Sequence, residues 1–143
     1  MVRAVHACRP DDTLEAAARI MWEQDCGFVP VTDAVGRLCG VVTDRDACMA
    51  AWTQGRSLLA IPVASAMAAE VVVLHPDDPL ERAHELLRTH RLRRLPVVDA
   101  GRHVVGVLSL KDLAAHARAR PSAQAEVAET LLQVTRGRGA EIA

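Results

Sequence analysis

Residues 8–47 read CRPDDTLEAAARIMWEQDCGFVPVTDAVGRLCGVVTDRDA, and residues 74–113 read LHPDDPLERAHELLRTHRLRRLPVVDAGRHVVGVLSLKDL. The two stretches align without a gap at an offset of 66 residues, and 13 of the 40 aligned positions are identical. Chance does not produce such a match, so the chain contains an internal duplication. We call residues 8–47 the first copy and residues 74–113 the second copy.

Each copy carries the same pattern of predicted elements. A short apolar strand (Val5–Cys8, then Val71–Leu74) leads into a Pro-Asp-Asp turn and a helix with apolar residues at the 3.6-residue period. An Asp at the turn and a Glu three residues on have capping-box spacing, so Asp12 and Asp78 are expected to cap these helices. Two strands and a second helix follow in each copy: Phe28–Thr32, Leu38–Thr43 and Asp44–Trp52, then Arg94–Val98, His103–Ser109 and Leu110–Arg120.

These patterns predict an α/β fold built from two β-α-β-β-α repeats related by a pseudo-two-fold axis. One repeat leaves an apolar sheet face open, and two repeats can cover each other as in an isologous contact. We predict a first repeat over residues 1–60, a second over residues 61–120, and a C-terminal helix and tail over residues 121–143. The C-terminal helix is expected at about Ala123–Val134, where apolar residues share one face.

Composition excludes several classes of protein. The net charge is −1, the sequence pI is about 6.6 and aromatic residues make up 2%, which argues against nucleic acid or an anionic membrane as a partner. No apolar run approaches the roughly 20 residues that span a bilayer. Charged residues across residues 1–20 leave no signal-peptide core, so a cytoplasmic location is expected. The four cysteines form no CxxC pair, and no metal site is expected.

The segments that point to chemistry are residues 40–46, Gly-Val-Val-Thr-Asp-Arg-Asp, and residues 106–112, Gly-Val-Leu-Ser-Leu-Lys-Asp. In each segment, a residue with a hydroxyl side chain, Thr43 or Ser109, is the last of a predicted strand and stands just before a predicted helix. A basic residue and an Asp follow in the first helical turn. A helix start offers unpaired N–H groups to phosphate, and a carboxylate can accept hydrogen bonds from two ribose hydroxyls. Basic side chains can pair with phosphate charge. The predicted ligand-binding residues are Thr43, Arg45, Asp46, Ser109, Lys111 and Asp112.

With these two motifs in matching copies, residues 5–120 resemble a tandem cystathionine-β-synthase (CBS) domain pair, the Bateman module. The resemblance implies adenosine sites in which the Asp binds ribose and the hydroxyl holds ribose or phosphate, with an apolar-Pro-Val strand lining the base. That adds Val29, Pro30, Leu95 and Pro96 to the expected site. Family members bind AMP, ADP, ATP or S-adenosylmethionine as regulatory ligands, and they commonly pair into flat four-repeat dimers.

The chain departs from the family pattern in two ways. Many members carry a short Met-containing segment before each copy; Ile61–Met67 is expected to supply it for the second copy, whereas the first copy begins almost at Met1. The two copies also differ before the apolar-Pro-Val strand, where Arg93 and Arg94 replace Gly27 and Phe28. Arg94 is therefore included in the expected site, and the second copy is expected to favour ligands with more phosphate. Asp44, aligned with Leu110, points the same way, because an anion at the helix start opposes added phosphate.

The sequence thus predicts a regulatory signal-transduction module that binds an adenine nucleotide, requires no cofactor, forms a homodimer and acts on an unidentified effector protein. Two alternatives stay open. The hydroxyl and Asp residues can be plain helix caps in a ligand-free dimerisation scaffold. An enzyme such as a nucleotide hydrolase is the other, but the sequence shows no catalytic constellation, no Gly-rich phosphate loop and no nucleophile elbow.

Overall fold

The computed structural model describes residues 5–136. Within that range the chain forms two antiparallel two-stranded sheets and five α-helices, which confirms the α/β class. In chain order the elements are α1 (Leu14–Glu23), β1 (Phe28–Thr32), β2 (Leu38–Thr43), α2 (Asp44–Gln54), α3 (Leu80–His90), β3 (Arg94–Val98), β4 (Val104–Ser109), α4 (Leu110–Ala117) and α5 (Pro121–Thr135). Two 3₁₀ turns, Leu58–Ala60 and Val63–Ser65, lie between the copies.

Strands β1, β2 and β3 have the predicted bounds, and the helices differ at their ends. Helix α2 runs two residues beyond Trp52 to Gln54, and its C-cap is Gly55, whose φ of 61° is left-handed and suits glycine. Helix α4 ends at Ala117, three residues early. The next helix begins at Pro121, and the residue before a proline disfavours helical backbone, so α4 cannot continue into α5.

The strand predicted at the start of each copy is wrong as a full strand. Only Cys8 and Leu74 pair, each through an isolated parallel bridge, with Val31 and Val97 respectively. Cys8 N–H donates to the carbonyl of Pro30 at 3.0 Å. The predicted residues that precede each bridge, 5–7 and 71–73, form no bridge, and on the other side the Pro-Asp-Asp turn limits the pairing because proline has no N–H to donate.

The expected caps of α1 and α3 are also wrong. Thr13 is the N-cap of α1 and accepts from Ala16 N–H, whereas α3 follows Pro79 without a side-chain cap. The carboxylate of Asp12 instead accepts from Arg9 N–H at 2.8 Å, and Asp78 accepts from His75 N–H at 2.8 Å. Both Asp residues therefore stabilise the turn before the helix.

The chain divides into two compact units, one of residues 5–71 with 98–105 and the other of residues 72–97 with 106–136. In the first unit, α1, α2 and the β1–β2 hairpin enclose a core of buried aliphatic side chains. Its members are Cys8, Leu14, Ala17, Met21, Val29, Val31, Val42, Ala47, Ala50, Ile61 and Val63. In the second unit, α5 packs against both α3 and α4.

The segment that follows the 3₁₀ turn at Leu58–Ala60 packs against the first copy. Leu14 N–H donates to Ile61 O at 2.8 Å, and Val41 and Ala68 exchange backbone hydrogen bonds of 3.0 and 2.8 Å. Gly40 permits this crossing, since a Cβ there would lie 2.7 Å from Met67 Sδ and 3.0 Å from Ala68 O. Ile61–Met67, expected to serve the second copy, therefore covers strand β2 of the first. The start of the first copy at Met1, where the family's Met-containing segment would precede it, lies outside the described residues.

The duplication extends to backbone angles where the residues differ. Asp25 and the aligned Arg91 both adopt left-handed φ, at 48° and 52°, just after α1 and α3. Gly36 and the aligned Arg102 do so in the two hairpin turns, at 83° and 65°. Backbone geometry is therefore shared at positions where the side chains have diverged.

Candidate functional site

The first candidate site lies where β2 passes into α2. Thr43 is extended and caps α2: its Oγ1 accepts from Asp46 N–H at 3.2 Å. Asp46 returns the interaction, its Oδ2 accepting from Thr43 N–H at 2.9 Å. The hydroxyl and the acid thus form a reciprocal capping box, which holds the carboxylate at the start of the helix.

The second copy repeats this geometry where β4 passes into α4. Ser109 Oγ accepts from Asp112 N–H at 3.2 Å, and Asp112 Oδ2 accepts from Ser109 N–H at 2.8 Å. The Ser109 hydroxyl also donates to Asp112 Oδ2 at 2.9 Å. Burial raises the pKa of Asp112, hydrogen bonds from Ser109 are among the contributions that lower it, and the net pKa lies below the usual value. The carboxylate at this helix start is therefore held in its charged form.

A backbone hydrogen bond ties each helix start to the residue that precedes β1 or β3. Asp44 N–H donates to Gly27 O at 3.2 Å, and Leu110 N–H donates to Arg93 O at 3.1 Å. This positioning role of Gly27 and Arg93 was not predicted from the sequence, where their equivalent positions in the two copies were the available signal. The bond places the start of one strand beside the end of its neighbour in both copies.

The two helix starts differ in charge. In the first copy the Asp44 carboxylate lies against Gly27, because a Cβ on Gly27 would be only 2.6 Å from Asp44 Oδ2. Asp44 Oδ1 also accepts from Arg45 N–H at 2.8 Å. The second copy has Leu110 in place of this acid and Arg93 in place of this glycine. The first site is therefore more negative beside its helix N-terminus.

The expected base-lining residues are core residues of their own units. Val29 and Leu95 are fully buried, and Pro30 and Pro96 are buried beside them. Pro96 O accepts from Leu74 N–H at 3.0 Å, as Pro30 O does from Cys8. These buried side chains therefore belong to the apolar core next to each strand-to-helix junction.

The expected phosphate-pairing residues are more accessible. Arg45 and Lys111 are exposed in the first turns of α2 and α4, and Arg94 is half-buried at the start of β3. Each copy thus places its hydroxyl, acid and basic residue on one strand-to-helix junction. An ionised carboxylate offers about four acceptor positions, so a capping box leaves room for hydrogen bonds to a ligand.

Metal clusters, membrane-spanning helices and cysteine thiols are the remaining candidate features. Across residues 5–136, no group of three or more His, Cys, Asp or Glu side chains could hold a metal ion. The described helices are too short or too polar to cross a membrane. All four cysteines are free thiols, and burial, followed by the nearby Asp12 charge, raises the pKa of Cys8 to about 11. A thiol with such a raised pKa stays protonated and behaves as a small apolar side chain.

Known proteins share both the sequence and the fold. The CBS domain family model matches residues 1–52 and 63–118. CBS domain-containing protein YhcV of Bacillus subtilis (strain 168) is 37% identical over 123 residues, which cover 86% of each chain. Inosine-5'-monophosphate dehydrogenase of Methanocaldococcus jannaschii is 29% identical over 113 residues, or 79% of this chain but only 22% of that enzyme.

Solved structures agree with this result. The CBS-domain containing protein ATU1752 from Agrobacterium tumefaciens superposes with a TM-score of 0.71 at 32% identity, covering 81% of this chain and 85% of that one. The CBS domain pair of MJ0100, in complex with 5'-methylthioadenosine and S-adenosyl-L-methionine, gives a TM-score of 0.71 at 23% identity and covers 80% and 92%. With the family model matching two successive segments, the chain belongs to the CBS domain family and carries the domain as a tandem pair.

Proposed function

We propose that this chain is a regulatory module that binds an adenine nucleotide or S-adenosylmethionine, forms a homodimer and acts on a separate effector protein. The observation that carries the proposal is the repeated capping box at Thr43–Asp46 and Ser109–Asp112. The same hydroxyl, acid and helix start occur at two strand ends, although the intervening side chains have diverged. A sugar-phosphate is the ligand class whose hydroxyls and charge match such a junction.

Within each site we assign ribose to the Asp and phosphate to the helix start with its basic residue. Asp46 Oδ2 is used by the capping box, and its Oδ1 accepts no hydrogen bond from residues 5–136. That oxygen can receive a ribose hydroxyl without disturbing the cap. Adenosyl compounds are the first ligands to test, because this chain shares its fold with the MJ0100 pair, whose structure contains two of them.

We also propose that the second site takes the ligand with more phosphate. Asp44 beside Gly27 makes the first helix start more negative, whereas Arg93 and Arg94 make the second more positive. A more charged nucleotide therefore gains more in the second copy. Because a ligand shifts a conformational equilibrium only through unequal affinity for two states, occupancy of unlike sites can report the ratio of two nucleotides.

Calorimetric titration of AMP, ADP, ATP, NAD and S-adenosylmethionine tests the proposal on the wild-type chain and on Asp46→Ala and Asp112→Ala. Removing an acid that accepts two ligand hydrogen bonds should weaken that site roughly 10–100-fold. Asp112→Ala should reduce ATP affinity more than AMP affinity. Equal losses for both nucleotides in both variants would disprove the asymmetry.

Matched controls separate binding from folding. Asp46→Asn and Asp112→Asn keep an acceptor for the capping bond and lose the charge, so they should fold like the wild type yet bind weakly. Asp77→Ala alters an exposed acid outside both junctions and should leave the titrations unchanged. No heat with all five ligands, from a folded protein, would reject the nucleotide function.

The second candidate function is a ligand-free dimerisation scaffold of the same fold. The observation in its favour is that each hydroxyl and acid already satisfies the other as a helix cap. Absence of binding to all five ligands, combined with a stable dimer, would favour it.

We propose no catalytic activity for the chain. A cytoplasmic location is proposed on the four free thiols, which suit a reducing compartment.

A further inference from the structure

Helix α5 covers one side of the second unit, where it packs against both α3 and α4. On α3, Arg88 Nε donates to Thr130 Oγ1 at 2.9 Å, and Arg88 Nη2 donates to Glu126 O at 3.3 Å. At the end of α4, the carbonyl of Arg118 accepts from the side chain of Gln124 at 2.8 Å. Polar contacts to both helices therefore hold α5 in place.

The apolar anchoring of α5 is small for a helix of 15 residues. Within Pro121–Thr135, Thr130 and Val134 are the only buried side chains, and the first of them is polar. Leu131 and Leu132, which lie between them in the sequence, are exposed. Segments with few buried apolar contacts open at a lower free energy than the domain as a whole. The opening of α5 is therefore expected to be separate from the unfolding of α3 and α4.

The first unit shows that the repeat does not need such a helix. The residues aligned with Arg88 and Arg118 are Trp22 and Trp52. They are 88% and 76% exposed, so no element of residues 5–136 covers them. The first unit nevertheless encloses a core of buried aliphatic side chains. Helix α5 is therefore an addition to the repeat, and the repeat can stay folded without it.

A histidine lies buried between α3 and α5. His84 of α3 is 5% exposed, and its Nδ1 lies 2.8 Å from Thr130 Oγ1. The Thr130 hydroxyl donates its proton to Glu126 O at 2.9 Å, and it accepts from Arg88. One acceptor position of this oxygen remains for His84, which therefore donates from Nδ1. A further proton can bind His84 only at Nε2, and it brings a positive charge.

That charge is unfavourable while α5 is docked. Burial is the main cause that lowers the pKa of His84 from its usual value of 6.5. Glu126 on α5 and Glu81 on α3 oppose the shift without reversing it, and the positive charge of Arg88 on α3 adds to it. Detachment of α5 returns His84 and Arg88 to water, where a charged imidazole costs little.

We propose that α5 is a proton-operated strap, which covers α3 and α4 while His84 is neutral and detaches when His84 is protonated. The docked and detached states bind a proton at His84 with unequal affinity, and this inequality is what allows a proton to shift the equilibrium. Docking is strongest above pH 6.5 and weakens about tenfold for each pH unit below it, until the lower pKa of the docked state is reached. Release of α5 depends neither on nucleotide binding nor on dimer formation.

Hydrogen exchange followed by mass spectrometry tests the strap, because it measures the opening of each helix separately. After correction for the intrinsic exchange rate, the protection of α5 should fall several-fold between about pH 7.5 and about pH 5. Helices α1 and α2 of the same molecule should keep theirs. His84→Gln retains an amide that can donate to Thr130 but takes up no proton, so its α5 protection should not change with pH.

His90→Gln is the matched control, since His90 is an exposed histidine on the same helix. This variant should keep the full pH response of the wild type. Val134→Ala shortens the buried apolar anchor of α5 and leaves His84 unchanged. It should lower the protection of α5 by the same factor at both pH values, which distinguishes a structural contact from the titrating group.

Constant α5 protection in the wild type across this pH range would overturn the strap. A pH response that persists in His84→Gln would overturn the assignment to this histidine. Loss of protection in α1 and α2 together with α5 would show that the whole chain unfolds, which also contradicts release of a strap. The comparison of helices within the wild type needs no variant to fold, and the nucleotide titrations succeed or fail independently of it.

Discussion

The helix faces of the two copies have diverged more than their strand ends. At the strand ends, both copies keep the same capping box, the same backbone hydrogen bond to the residue before β1 or β3, and the same left-handed turn positions. On the helix faces, Ala18 and Trp22 of the first copy align with His84 and Arg88 of the second. The duplication has therefore preserved the junction geometry, whereas the helix face is covered by α5 in the second copy and carries an exposed tryptophan in the first.

The second-copy face depends on a buried polar cluster. Thr130 is fully buried, and its hydroxyl group meets His84 Nδ1 at 2.8 Å, Arg88 Nε at 2.9 Å and Glu126 O at 2.9 Å. Such a cluster is stabilising only while every member is paired. The first copy offers no such cluster at its aligned positions, where Ala18 and Trp22 stand, and its exposed face is apolar instead.

Of the substitutions that test this difference between the copies, Thr130→Val should have the largest effect on stability. It keeps the volume but removes the shared hydroxyl, leaving Arg88 and His84 without their buried partner. We expect a loss of about 3 kcal/mol in the free energy of unfolding, measured by urea denaturation. Thr135→Val, on the exposed side of the same helix, should change stability by less than about 0.5 kcal/mol. A loss below about 1 kcal/mol for Thr130→Val would show that α5 does not depend on the cluster.

Removing the caps should have a smaller effect and should distinguish the two junctions. Thr43→Ala and Ser109→Ala should each cost about 1 kcal/mol of stability. Ser109→Ala should cost more, because the Ser109 hydroxyl also donates to Asp112, and the pKa of Asp112 should rise when that bond is lost. Thermal or urea unfolding measures the first effect, and NMR titration of the carboxyl carbon measures the second.

Thr53→Ala is the control for both caps, since the Thr53 hydroxyl bonds back to Met49 O within α2 and caps nothing. It should leave stability within about 0.5 kcal/mol of the wild type. Equal costs at Thr43 and Ser109 would contradict the expected difference between the junctions.

The smallest expected effect is a pH dependence that belongs to the second unit. Burial is the main cause that lowers the pKa of His84 from its usual value of 6.5. The positive charge of Arg88 also lowers it, and the charges of Glu126 and Glu81 partly oppose the shift. The folded protein therefore favours neutral His84, and the unfolded chain binds more protons below pH 6.5. Stability should fall as the pH drops from 6.5 toward the lower folded pKa.

Denaturant midpoints between pH 7.5 and about 5 measure this dependence. His84→Gln should flatten it, whereas the exposed His90→Gln should not. An unchanged slope in His84→Gln would mean that other groups cause the acid sensitivity.

Much of the fold followed from the repeat. The period and turn residues predicted β1, β2 and β3 to the residue, because β-branched runs and the turns Asp33-Ala34-Val35-Gly36 and Asp99-Ala100-Gly101 are local signals. The caps of α1 and α3 were predicted wrongly. Asp12 and Asp78 can accept either from an N–H in the first turn of the helix or from the N–H three residues earlier, and the spacing along the chain does not decide between the two. Left-handed Arg102 could not be read from its type, since non-glycine residues rarely adopt that backbone. The repeat boundaries near residues 60 and 120 stay predictions.

The sequence by itself determined the duplication, the α/β class and the position of both strand-to-helix junctions, because each depends on residues close together in the chain. Only the tertiary structure decided that Ile61–Met67 covers the first copy, that α5 covers the helix face of the second unit, and that Trp22 and Trp52 are exposed. Those outcomes depend on which apolar faces meet across many residues. Pairwise packing of distant segments is set by shape and burial in three dimensions, which periodicity along one segment does not encode.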